Sequence, residues 1–182
     1  MEHSYRILSP RLMLRPLTEH DLERVRGWRN QDHIRIWFQD DHLIEPEQHQ
    51  TWYERYRQND QDIMFIAVHL DNEVPIGTGA LYRIDPTRKM AEFGRVLIGD
   101  INYQGQGYGE EIVRSLTRFG LERLRMQTIE LFVKVTNTRA IKIYMNCGYV
   151  HDRSYRNYGN KESGSLVRMV CNAPQLRKGD RS

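Results

Sequence analysis

The stretch Gln104-Gly105-Gln106-Gly107-Tyr108-Gly109 lies between an apolar run at 91–98 and a long amphipathic pattern. Glycines let the backbone take positive φ and approach a ligand closely. The helix that opens here offers unpaired N–H groups and a positive dipole end, which suit a pyrophosphate. Glycines at 105, 107 and 109 miss the G-x-G-x-x-G dinucleotide spacing, and no Lys-Ser/Thr follows to make a Walker loop. A bland reading remains, in which the segment is only a glycine-rich turn capping a helix.

Working outward, the helix after the loop carries Ile112, Leu116, Phe119 and Leu124 on one face. A strand is predicted at 128–133, a helix at 138–146, and closing strands at 151–158 and 166–171 around the turn Tyr158-Gly159-Asn160. Upstream, 63–70 and 75–84 form a hairpin across Asp71-Asn72-Glu73, and 91–98 is a third strand. Residues 11–14 read as a short strand. Thr18 reads as an N-cap with Asp21 as its weak capping-box partner, ahead of Leu22, Val25 and Trp28 at helical spacing. A second helix opens at Glu45-Pro46 and carries Trp52, Tyr53 and Tyr56. The order β-α-α-β-β-β-α-β-α-β-β makes a mixed α/β domain with a mostly antiparallel central sheet flanked by helices.

Composition narrows the classes. With 182 residues, the chain suits one domain, expected at 1–173, with a flexible basic tail at 174–182. Hydrophobic residues at 39% and charged ones at 28% are ordinary for a globular protein, which argues against disorder. A net charge of +3 without a basic stripe argues against a nucleic-acid partner. No apolar run approaches membrane-spanning length, and the N-terminal residues lack the apolar core of a signal peptide. Cys147 and Cys171 are separated singletons, and no Cys/His spacing suggests a metal site. A cytoplasmic protein with reduced thiols is the expectation.

Two motifs carry a family resemblance. Gln104, Gly107 and Gly109 resemble the Gln/Arg-x-x-Gly-x-Gly/Ala acyl-CoA motif of the GNAT superfamily of N-acetyltransferases. Asn137, Ala140, Tyr144, Gly148 and Tyr149 resemble its second signature, one helix and one strand downstream. The likeness runs from about residue 11 to residue 171 in element order. It implies the GNAT acyl-CoA N-acyltransferase fold, with acetyl-CoA as acyl donor and direct attack by a primary amine in a ternary complex. It further implies that loop residues Gln104, Gly105, Gln106, Gly107, Tyr108 and Gly109 hold the CoA pyrophosphate, chiefly through backbone N–H groups. Val96 and Ile98 would pair with the pantetheine arm, Asn137 would bond the cofactor, and Tyr144 would protonate the CoA sulfur. A backbone N–H within 95–97 would serve the oxyanion.

Each role has a plainer rival: Tyr144 packs a core, Asn137 caps a helix. Glu92, placed by strict alternation on the face of Gly94, Val96 and Ile98, is the candidate base, and a solvated strand-edge carboxylate is its plain counterpart. His33, His42 and His49 are alternative bases, although a lone histidine there is more often a surface residue.

For the acceptor, Trp28-Arg29-Asn30 followed by a spaced Ile34, and Glu92-Phe93-Gly94, look like acetyltransferases of amino-sugar nucleotides, of the pseudaminic-acid-pathway type. Arg29 and Arg35 would then fork onto a diphosphate, and Trp37 would stack on a base or sugar. The bland alternative is a core Trp28 and solvated arginines. Asp40, Asp41 and Glu92 keep a polyamine open, and the pattern also resembles ribosomal-protein N-terminal acetyltransferases. A non-catalytic acyl-CoA sensor is the rival from another class, and a homodimer is an admissible assembly.

Overall fold

A computed structural model of the chain describes residues 3–154 and 165–173. Strands β1 (Ile7–Leu8), β2 (Leu12–Pro16), β3 (Ile63–His69), β4 (Pro75–Asp85), β5 (Met90–Ile98), β6 (Thr128–Lys134), β7 (Val150–His151) and β8 (Leu166–Asn172) form one sheet. Its order is β1-β2-β3-β4-β5-β6-β8-β7. Every pairing is antiparallel except β5 with β6, so the expected mixed, largely antiparallel sheet is present.

Helices α1 (Leu22–Arg29), α2 (Asp32–Arg35), α3 (Pro46–Arg57), α4 (Tyr108–Glu122) and α5 (Thr138–Asn146) cover both faces. Ile112, Leu116 and Phe119 of α4 pack with Phe65, Leu81, Phe93 and Ile129 on one face. Val25, Trp28, Tyr53 and Tyr56 of α1 and α3 pack with Ile66, Ala80 and Leu97 on the other. These side chains are withdrawn from water at roughly 25 cal/mol per Å2 of apolar surface, and both amphipathic layers are held by that burial. Local chemistry sets the helix starts. Asp21 accepts from the Thr18 N–H at 3.0 Å, as the capping box predicts, and a 3-10 turn (Glu19–Asp21) then leads into α1. Pro46 stands in the first turn of α3.

Two elements escape the sequence reading: β1 and the four-residue α2, both shorter than a hydrophobic period can reveal. The predicted strand at 11–14 begins one residue later and ends at Pro16. Of the closing strand predicted at 151–158, the described part is β7 at Val150–His151, and residues 155–158 lie outside the described residues. The turn at 158–160 and the tail at 174–182 lie outside the described residues.

The feature that positions the site is in β5. Ala80 pairs with Gly94 and Thr78 with Leu97, so Gly79 alone faces both Arg95 and Val96. This bulge puts Arg95 at φ +51°. Side chains after it therefore change faces. Phe93 belongs to the α4 face, Leu97 to the α1–α3 face, and Val96 and Ile98 pack against the α4 face. Glu92, opposite Tyr82 on the α1–α3 face, is thus on the far side of the sheet from Val96 and Ile98. The strict alternation assumed for the sequence is corrected here, because an extra residue inverts the parity.

Candidate active site

Gly107 is the N-cap of α4 with φ +84°, and Gly105 has φ +79°. A left-handed residue at the cap turns the chain so that the first-turn N–H groups of α4, which have no intrahelical acceptor, lie open. An added Cβ at Gly105 or Gly109 would meet nothing within 4 Å. Glu111 is neutralised away from the loop by Ser9 Oγ at 2.7 Å and Arg11 Nε at 2.8 Å. Arg11 also donates to the Gln106 carbonyl at 3.0 Å and lies 4.1 Å from the Tyr108 ring centroid, bracing the loop from the bend just before β2. Glu110 pairs with Arg114 at 3.0 Å. The result is an N–H-rich, positively polarised concavity fit for a phosphate.

Beside it, β5 and β6 part. Their pairing runs only from Met90–Thr128 to Glu92–Glu130. Beyond it, Gly99 donates its N–H to Ile76 of β4, whereas Ile98 offers its carbonyl to the Gln104 amide at 2.9 Å on the opposite side. By the alternation of strand groups, Val96 and Ile98 turn backbone groups to the open edge. An extended chain would find a strand edge there.

The gap opens into a cleft of about 380 Å3, within the roughly 300–1,000 Å3 of ligand sites. Val96, Ile98, Gln104, Gly105, Gly107, Tyr108, Gly109, Asn137 and Tyr144 all line it, whereas Gln106 is off its wall, its amide bonded to the Asn102 carbonyl. Asn137 caps α5 by accepting from the Ala140 N–H at 3.1 Å. The Tyr144 ring is held edge-on by Phe93, with centroids 6.2 Å apart. Burial pushes its phenol up, so it carries its proton at neutral pH.

The acceptor-facing end of the cleft is walled by His33, Ile34, Trp37, Phe38, Gln39, Tyr82 and Arg95. Of the five residues expected there from sequence, Trp37 is on the wall, and the structure places the other four off it. Trp28 is buried against Gly99, where a Cβ would fall 1.9 Å from its ring. Asn30 holds Ile44 through two bonds of 2.9 and 2.8 Å. Arg29 lies 3.8 Å from the Phe38 ring centroid and bonds the Asp40 carbonyl. Arg35 bonds Asp32 at 2.8 Å and the Asp41 carbonyl at 2.7 Å. Both guanidiniums reach carbonyls of the 38–42 loop, which carries Phe38 and Gln39, and Arg29 Nη1 is buried with no hydrogen-bond partner among the described residues.

Glu92 is also off the wall. It is 3% exposed, accepting from the Tyr82 hydroxyl at 2.8 Å and from Arg83 at 2.6 Å. Among the alternative bases, His33 lines the cleft near Gln104, His42 is exposed beside Asp40, and His49 is buried against Trp52. Sequence reading missed Tyr82, Phe38, Arg95 and Arg11. Only the Tyr82–Glu92 cross-strand pairing could have exposed one of them, had the hairpin register been known. Among the described residues no His/Cys/Asp/Glu group could hold a metal, and no helix is long and apolar enough to cross a membrane.

A phosphate cradle, a strand edge for an extended arm and a protonated phenol in one cleft are the parts an acyl-CoA transferase requires. The acetyltransferase (GNAT) domain family matches residues 11–150. Spermidine N(1)-acetyltransferase of Vibrio cholerae is 23% identical over 146 residues, covering 80% of this chain and 82% of the relative. Acetyltransferase PseH of Campylobacter jejuni is 24% identical over 128 residues, covering 70% and 76%. The structure of the Vibrio cholerae spermidine N-acetyltransferase with CoA and spermine has a TM-score of 0.81 at 20% identity, over 93% of this chain and 99% of that one, and shares the fold. The two motifs, the parted strands and a family match across most of the chain agree, and the chain belongs to the GNAT superfamily of acetyl-CoA-dependent N-acetyltransferases.

Proposed function

We propose that this enzyme acetylates the primary amine of an amino sugar, of the kind carried on nucleotides, gripping the sugar rather than its diphosphate. One observation carries the reading. The acceptor end of the cleft presents the rings of Trp37, Phe38 and Tyr82, and its described lining holds no carboxylate; Glu110 belongs to the loop end. Aromatic faces with a few polar groups suit the apolar face and hydroxyls of a sugar. A polyamine carries several positive charges and would be expected to meet carboxylates in the wall.

In this reading the α4 N-terminus and loop N–H groups take the CoA pyrophosphate, and Val96 and Ile98 take the pantetheine arm. Asn137 adds a contact to the donor. The thioester carbonyl then lies beside the 95–97 backbone, where an N–H receives the developing oxyanion. Tyr144 gives a proton to the departing sulfur. Arg29 and Arg35 shape the acceptor wall through Phe38 and Gln39.

A second reading, a polyamine acceptor, is favoured by Asp40 and Asp41 on the loop after Gln39 and by the spermidine-acetylating relative. Competition kinetics with acetyl-CoA decide between them. An amino sugar, free and nucleotide-linked, should be acetylated with kcat/KM at least tenfold above spermidine or a peptide N-terminus. Efficient spermidine turnover that survives Trp37→Ala and fails on Asp40→Ala/Asp41→Ala would replace the sugar reading with the polyamine one.

A further inference from the structure

The hydrogen bonds of Tyr82 leave one direction open. Its phenol hydroxyl donates to Glu92 Oε1 at 2.8 Å. Glu92 Oε2 is taken by Arg83 at 2.6 Å. The phenol oxygen therefore keeps its lone pairs for a donor from elsewhere. That oxygen lies over Gly94, where a Cβ would come within 2.6 Å of it, and Tyr82 and Gly94 both line the cleft. The ring is held in place, with the Arg95 guanidinium 4.6 Å from its centroid and Arg95 itself clamped by Asp62 at 2.7 and 2.8 Å. The charged groups facing the pair are Arg83, Arg95 and, behind Arg95, Asp62. Gly94 is also where β5 has just left β6, so the hydroxyl stands where the donor edge meets the acceptor wall.

We propose that Tyr82 is the catalytic residue that receives the acceptor amine, with Glu92 acting through it as the destination of the proton. This rests on the transferase reading above. The amine enters neutral, having left one proton in water. Its lone pair forms the C–N bond to the thioester carbonyl carbon. The surplus N–H proton passes to the Tyr82 oxygen as the phenol's own proton moves to Glu92 Oε1. The C–S bond breaks, and the sulfur takes the Tyr144 proton. Amide and CoA thiol leave with Glu92 neutral and Tyr144 ionised; solvent then removes one proton and returns one. Glu92 is out of direct reach of the cleft, and the Tyr82 hydroxyl links it to the cleft wall.

The test uses Tyr82→Phe, Glu92→Gln and the double variant in the full-length protein. Single-turnover rates are read at saturating acetyl-CoA with any primary amine the wild type acetylates. Each single change should slow transfer by about 10²-fold or more. The double should be no slower than the worse single, because the two residues form one path. In wild type and all three variants the rate should follow the neutral fraction of the amine, rising about tenfold per pH unit below the amine's own pKa, so the loss in each variant should stay constant from neutral pH up to that pKa. Calorimetric affinity for acetyl-CoA should not move. Tyr82→Phe within twofold of wild type, multiplicative losses in the double, or a loss that shrinks as the pH approaches the amine's pKa would each overturn the proposal. If Glu92→Gln does not fold, the rate and pH profile of Tyr82→Phe decide alone. Turnover of some amine other than a sugar defeats the acceptor reading while Tyr82 is still judged on that amine; turnover of no primary amine defeats both.

Discussion

At the scale of single residues, Gly107 and Gly109 look alike in the sequence and differ in the structure. Gly107 holds φ +84°, where a β-branched side chain is strained by roughly 1–2 kcal/mol or more, and where it would crowd an approaching phosphate. Gly109 is helical, with open space at its Cβ position. Gly107→Val should therefore abolish CoA binding in calorimetry while Gly109→Ala retains most of it; equal tolerance would remove the phosphate cradle. Tyr144 invites a parallel test. Phe93 and Tyr149 pack its ring whether or not the hydroxyl is present, so Tyr144→Phe should fold and bind acetyl-CoA. Its turnover should fall by about 10²–10⁴-fold where chemistry limits the rate, and near-normal turnover would reduce Tyr144 to packing. The positions of both residues were legible because each motif is short and its spacing fixes which elements meet. The surroundings of Arg29 and Arg35 were not legible, for the opposite reason. A guanidinium is equally suited to a phosphate and to a loop carbonyl, and only the folded 38–42 loop shows which carbonyls the two reach.

At the scale of elements, the hairpin of β3 and β4, the long α4 and the strand–helix pair after it were legible from period and turn residues. The bulge in β5 was not. Nothing in Gly94-Arg95-Val96 marks an arginine for positive φ, and the bulge is stabilised by partners distant in sequence. Thr78 Oγ1 donates to the Arg95 carbonyl at 2.7 Å, and Asp62 clamps the Arg95 guanidinium. One inserted residue sends Val96 and Ile98 to the donor face and leaves Glu92 behind Tyr82 on the acceptor face, so the bulge decides which residues each substrate meets. Thr78→Val keeps the shape of a fully buried side chain but strands that carbonyl, a loss of about 1–3 kcal/mol. A chemical melt should show that loss with an unchanged slope, and KM for acetyl-CoA should rise several-fold as the open edge loses its register. Full stability in the variant would mean that the ladder with β4 holds the bulge without Thr78.

At the scale of the whole molecule, the two helical layers border different parts of the cleft: α4 and α5 its loop end, and α2 with the loop after it the opposite end. That division was only partly legible, since the apolar stripes predict burial but not which sheet face each helix takes. Burial also makes the molecule acid-sensitive in a definite order. Burial, then the field of Arg26, lowers His49 from its ordinary 6.5, against the opposing pull of Glu23 and a backbone bond to Leu22. Burial likewise lowers His3, against the Met64 carbonyl and Asp62. For Asp21, burial works to raise the carboxyl, but the bonds from Arg15 and Thr18 outweigh it and hold it below the usual range. The signs agree. A group with a depressed folded pKa binds its proton more readily when unfolded, so its stabilisation is complete above the unfolded value and is lost as pH falls below it. The histidines therefore act first, below about 6.5, and Asp21 follows once the pH enters the ordinary carboxylate range near 4. His49→Gln removes one titrating group from the first step while offering an amide to the same niche beside Trp52. Its melting temperature should fall less than that of the wild type between pH 7 and 5, and the two curves should run parallel below pH 4. Parallel curves over the whole range would mean that His49 stays neutral or charged alike in both states, and that the acid sensitivity of the α1–α3 layer begins with Asp21.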